Sequence, residues 1–142
     1  MKKLSLLLIL SSVFIVSCKK EGCTDVDAIN YDSDANTNDG SCEYQTDVSF
    51  WFDQGTSDQL TNWYSVTELN VYVNNSSVGS INANDWSTGP DCGGANFTAT
   101  WDMGNKTTME FNYAANDQTG NQQFYGTGTF KPNECKSIEL AW

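Results

Sequence analysis

There is no histidine and no arginine among the 142 residues, and seven lysines stand against eighteen aspartates and glutamates. Without histidine, the Ser-His-Asp and Cys-His arrangements that activate a hydroxyl or thiol nucleophile are excluded. Without arginine, and with a formal net charge of −11, the chain repels a polyanion whose binding rests on phosphates neutralised by Lys and Arg. Nucleic acid is therefore excluded as a partner. Twelve Asp and six Glu supply material for glycosidase-type carboxylate pairs, yet none stands in a motif and so small a domain leaves little room for a deep cleft. The chain reads as a non-enzyme. Its acidity means a well-solvated surface or, more sharply, an attraction for cations.

Long apolar runs are scarce too. The one such stretch, Leu4 to Val16, is interrupted only by serines and is too short to span a bilayer comfortably. With Lys2 and Lys3 ahead of it, it has the charged and apolar regions of a bacterial export signal. It closes on Ile15-Val16-Ser17-Cys18, which resembles a lipobox and so the bacterial lipoprotein family. That resemblance implies cleavage before Cys18, a diacylglyceryl thioether on its sulfur and an acyl group on its new amine. Each buried methylene contributes about 0.8 kcal/mol, so two or three chains anchor firmly where one would not. Loss of residues 1–17 would leave 125 residues, with five lysines against eighteen carboxylates and a net charge of −13. Residue 19 is Lys, not the Asp that retains enterobacterial lipoproteins in the inner membrane. The charged residues after Cys18 resemble the surface-export signals of Bacteroidetes lipoproteins. The expected address is the outer membrane, lipid-anchored and facing the cell surface, with the periplasmic face as the alternative.

Five cysteines are an odd count for an exported chain. With Cys18 lipidated, four remain and allow three pairings; Cys23 with Cys42 and Cys92 with Cys135 is favoured, since each pair then staples one region. Zinc is disfavoured, because neither CxxC nor histidine accompanies them. The segment Gly22 to Cys42 carries Gly22-Cys23-Thr24-Asp25, then Ala28, Asn30-Tyr31-Asp32 and Ala35, then Asp39-Gly40-Ser41-Cys42. It resembles a cysteine-bounded motif of secreted proteins from marine Bacteroidetes, which implies secretion and a disulfide but no activity. The same segment is dense in oxygen ligands: Asp25, Asp27, Asp32, Asp34, Asn36, Asn38 and Asp39. Calcium takes six to eight such oxygens, and a frame begun at Asp32 reaches Glu43 at its twelfth position. The sixth position is Thr37 where an EF-hand turn needs glycine. Calcium is thus one reading, and Asx-turns in a disulfide-tied linker the other.

From Tyr44 onward short alternating segments separated by Gly, Asn, Asp and Thr predict an all-β domain. Strands are expected at 48–53, 69–74, 77–82, 96–103, 107–114, 123–131 and 136–142, with hairpin turns at Asn74-Asn75-Ser76 and at Asp102 to Lys106. Seven strands suit one antiparallel β-sandwich, immunoglobulin-like or transthyretin-like. The expected organisation is a signal peptide at 1–17, a lipidated tether at 18–22, an acidic module at 23–43 and the sandwich at 44–142. Alternation assigns to the core Phe50, Phe52, Leu69, Val71, Val73, Phe97, Ala99, Trp101, Met109, Phe111, Tyr113, Phe124, Phe130, Ile138, Leu140 and Trp142. Gly126 and Gly128 leave space on that face for a bulky residue such as a tryptophan.

Trp51, Tyr72 and Tyr125 fall on the opposite parity, and Trp63, Tyr64 and Trp86 fall in expected loops. Exposed aromatics among Asn, Asp and Gln are how sandwich modules grip sugars; otherwise loops fold over the sheet ends and bury the rings. The sequence supports a structural or interaction lipoprotein meeting a protein partner. The alternative is a binding module for glycan through those six aromatics or for calcium through the acidic segment.

Overall fold

The computed structural model describes residues 19–89, 92, 93, 95 and 97–142. The export signal, Cys18 and the Asn96 start of one expected strand lie outside the described residues. In chain order the elements are β1 (Glu21–Gly22), β2 (Thr37–Asn38), β3 (Tyr44–Trp51), α1 (Gln54–Asn62), β4 (Glu68–Val73), β5 (Ser76–Asn82), β6 (Thr98–Gly104), β7 (Met109–Asp117), β8 (Gln122–Phe130) and β9 (Cys135–Glu139).

The fold is the expected all-β sandwich. One sheet has the order β6-β3-β9 and the other β5-β4-β7-β8. All neighbours in these two sheets are antiparallel except β3 and β9, which run parallel, with Asp47 opposite Cys135 and Trp51 opposite Glu139. The β4–β5 hairpin turns at Asn74 and Asn75, both at positive φ (47° and 67°). Asparagine tolerates that region, and two such residues in succession give the turn whose twist suits a two-residue hairpin. The second expected hairpin, at Asp102 to Lys106, is instead a crossing between sheets. Gly104 turns the chain at φ +58°, and the strands on either side, β6 and β7, belong to different sheets.

Val48, Phe50 and Phe52 from one layer and Leu69, Val71, Val73, Phe111, Ala115, Phe124 and Phe130 from the other close a single buried cluster, with Phe97, Ala99, Trp101, Met109 and Tyr113 half-buried against it. Ring contacts cross the layers, with Phe50 and Tyr113 centroids 5.5 Å apart and Trp101 and Phe130 6.4 Å apart. Trp142, expected in the core, is 57% exposed. Pairing in β9 stops at Glu139, so the alternation no longer aims the last residues inward, and Trp142 lies against Tyr64 and Phe124 instead. The space at Gly126 and Gly128 is filled by neighbours on β7 rather than by a tryptophan. Gly126 pairs with Tyr113 and Gly128 with Phe111, and a Cβ on either glycine would meet the partner's ring at 2.6 Å.

Residues 54–62, which fall between two expected strands, form α1. Asp53 caps it by accepting from the Thr56 N–H at 2.7 Å, and Leu60, Thr56 and Ser57 face inward. Both favoured disulfides are present, Cys23–Cys42 and Cys92–Cys135. In the chain-entropy model, loops of 19 and 43 residues correspond to about 3 and about 4 kcal/mol of stabilisation.

The acidic module begins earlier than residue 23. The Asn36 and Thr37 N–H groups donate to the Lys20 carbonyl, the Lys20 N–H donates to Asn36 Oδ1, and β1 pairs in parallel with β2. The expected tether is therefore folded into the module from Lys20 on. Two bonds seat the module on the sandwich: Tyr44 Oη donates to Asp25 Oδ2 at 2.7 Å and Asn133 Nδ2 to the Asp27 carbonyl at 2.9 Å.

Candidate functional site

The outer face of the four-stranded sheet carries the most developed surface feature. Inward Leu69, Val71 and Val73 on β4 and Phe111, Tyr113 and Ala115 on β7 force Tyr72, Asn112, Ala114 and Asn116 outward. On β8 the inward Phe124 and Gly126 leave Tyr125 and Thr127 facing out. Register then decides who meets whom. Tyr72 pairs with Ala114, and Ala114 pairs with Tyr125. The two tyrosines thus leave the sheet two strand spacings apart, about 9.6 Å, over a floor held low by the single methyl of Ala114. They line a cleft of about 470 Å³ whose other walls are Asn75, Asn112, Asn116, Gln122 and Thr127. No lining residue is charged.

Two register irregularities flank this cleft. One falls between Val71 and Tyr72 against β5, the other between Ala115 and Asn116 against β8. A bulge bends its strand and re-aims a side chain, here one beside Tyr72 and one beside Asn116. The Asn116 Oδ1 is buried and has no hydrogen-bond partner among the described residues. Buried acceptors are nearly always paired, and this oxygen on the cleft wall is an exception. Nearby, Asp117 closes the β7–β8 turn. Its carboxylate accepts from the Thr119 N–H and Oγ1, the Asn121 N–H and Nδ2, and the Gln123 Nε2, at 2.7–3.3 Å. The Thr119 hydroxyl, against the opposing push of burial and together with the Asn121 and Thr119 amides, holds that carboxyl well below the usual range.

The six aromatics singled out in sequence do not share one surface. Tyr72 and Tyr125 meet in the cleft, and Tyr125 is 76% exposed. Trp63 (76% exposed) and Tyr64 stand together at the C-terminal end of α1. Trp86 is exposed beyond β5. Trp51 is half-buried on the other sheet, next to the Gly89 turn. Burial beneath loops, the expectation for large rings, is therefore not what Trp63, Tyr64, Trp86 and Tyr125 show. Alternation puts Asn112, Ala114 and Asn116 on the outward parity of β7, while Asn75 and Gln122 join them from the β4–β5 turn and β8.

In the acidic module the oxygen ligands are engaged locally. Asp25 Oδ1 accepts from the Asp27 N–H, Asp32 Oδ1 from the Asp34 N–H, Asn38 Oδ1 from the Gly40 N–H and Asp39 Oδ1 from the Ser41 N–H; each is an Asx-turn. Tyr44, then the Asp27 amide, lowers the Asp25 carboxyl; Lys20, then the Asp34 amide, lowers that of Asp32. The Lys20 ammonium lies 2.9 Å from Asp32 and 3.3 Å from Asp34. No group of three or more Cys, Asp or Glu able to hold a metal occurs among the described residues. Nor is any helix among them long and apolar enough to cross a membrane. No family model, curated protein or solved structure matches the chain.

Proposed function

We propose that the protein is a non-catalytic interaction module of the cell envelope, anchored to the outer membrane by lipid on Cys18, that binds carbohydrate on the outer face of its four-stranded sheet. The observation that carries this reading is the pairing of Tyr72 and Tyr125 across Ala114 inside a ring of amides. Sugar rings present apolar C–H faces and polar edges. Two phenol rings supply the stacking faces, and Asn75, Asn112, Asn116 and Gln122 supply donors and acceptors for hydroxyls. The absence of charge from the lining suits a ligand recognised by shape and hydrogen bonding.

The test is calorimetric titration of the purified full chain, kept in a zwitterionic detergent without a sugar headgroup, against a panel of polysaccharides. Tyr72→Ala and Tyr125→Ala should each weaken binding at least tenfold, about 1.4 kcal/mol, while Trp63→Ala leaves it unchanged. A panel without a single binder, or binding indifferent to both tyrosines, would remove the reading. A protein partner is the second reading, favoured by the exposed Trp63, Tyr64 and Trp142 at one end of the sandwich. In that case Trp63→Ala, and not Tyr125→Ala, would abolish crosslinking on intact cells.

A further inference from the structure

A second cleft, of about 360 Å³, is lined by Asn74, Glu110, Phe111, Thr129 and, in common with the first, Asn112 and Thr127. The two clefts are neighbours that share the Asn112–Thr127 pair. Outward pairs follow one another along β7 and β8: Ala114 with Tyr125, Asn112 with Thr127, Glu110 with Thr129. Successive outward residues on one strand are about 6.6–6.8 Å apart, so from Asn116 to Glu110 the path covers about 20 Å. That exceeds a single sugar ring and follows the strands rather than plunging between them.

We infer that this path takes a neutral polysaccharide as an internal stretch of chain lying along β7 and β8, with the tyrosine cleft as its strongest subsite. The inference rests on the carbohydrate reading above and adds length and charge to it. Length follows from the two clefts lying one after the other along β7 and β8. Charge follows from their chemistry: hydroxyls and amides line the path, no lysine does, and its single ionised group is the carboxylate of Glu110. On a chain of net charge −11, an anionic polymer would meet repulsion both locally and at long range, whereas a neutral one meets none.

The same full-chain preparation, titrated with neutral β-glucan oligosaccharides from disaccharide to hexasaccharide and with a polyuronate, tests this. Affinity should rise at least tenfold between disaccharide and hexasaccharide, with no measurable polyuronate binding. Replacing the exposed far-end pair, Glu110→Ala with Thr129→Ala, should weaken the hexasaccharide at least fivefold and spare the disaccharide. If affinity is flat with length while Tyr125→Ala still abolishes binding, the extended path is wrong and the tyrosine site stands. If no oligosaccharide binds, or Tyr125→Ala changes nothing, both readings fall. A polyuronate that binds more tightly than the neutral chain overturns the charge argument.

Discussion

Asp117 accepts five hydrogen bonds, four from the turn that it begins and one from Gln123 on β8. At 7% exposure its carboxylate satisfies two backbone N–H groups, one hydroxyl and two side-chain amides. Removing the acceptor breaks the bonds that hold the turn closed, and hydrogen bonds to a charged group are among the stronger ones. Asp117→Ala should lower the Tm by several degrees, and Asp117→Asn, which keeps one carbonyl oxygen, by less. The pH dependence has a definite sign. A carboxyl depressed in the folded state stabilises above the ordinary Asp range near pH 3.9 and loses that contribution as pH falls toward the folded value. The Tm gap between wild type and Asp117→Asn should therefore narrow as pH drops from about 5 to about 2, and a constant gap across that range would mean that the carboxylate charge is not what holds the turn.

The β7–β8 pair shows what sequence makes legible at the scale of an element and what it does not. Alternation located both strands and their inward rows, because period two is a direct consequence of the pleat. It could not give register, so the meeting of Phe111 with Gly128 and of Tyr113 with Gly126 was invisible, as was the alignment that sets Tyr72 and Tyr125 on either side of Ala114. Helix α1 escaped for a different reason. Gln54 to Asn62 is polar, carries Gly, Thr and Ser, and has Leu60 as its single large apolar anchor; the Asp53 cap was the readable signal. Phe111 is also stacked on Phe130 at 3.8 Å, so its ring is held between Phe130 and the Gly128 backbone and has little freedom to retreat. Gly128→Ala should cost about 1–3 kcal/mol by overpacking, measured by denaturant titration. An unchanged midpoint would show that the ring moves aside freely. Because Gly128 also lines the second cleft, the same substitution should disturb hexasaccharide binding more than disaccharide binding.

At the scale of the whole molecule, folded structure runs from Lys20 to the four-stranded sheet. The chain is engaged from Lys20 through β1 and β2, Cys23–Cys42 closes the module, and Tyr44 with Asn133 fixes it to the sandwich. Between a lipid on Cys18 and this body stands one residue, Lys19, and the two steps from 18 to 20 reach about 7 Å at 3.3–3.6 Å per residue. A lipid there would hold the sandwich close to the membrane rather than on a long leash. Cys18→Ala should move the protein from the membrane fraction to the soluble fraction, and persistent attachment would remove the lipid assignment. The face of the membrane can be settled on the same cells. Lys106, Lys131 and Lys136 are exposed on the sandwich, so a membrane-impermeant amine reagent should label them on intact cells if the protein faces outward. Labelling that appears only after lysis would place the body in the periplasm, where an extended polysaccharide groove would have to serve a polymer of the envelope itself.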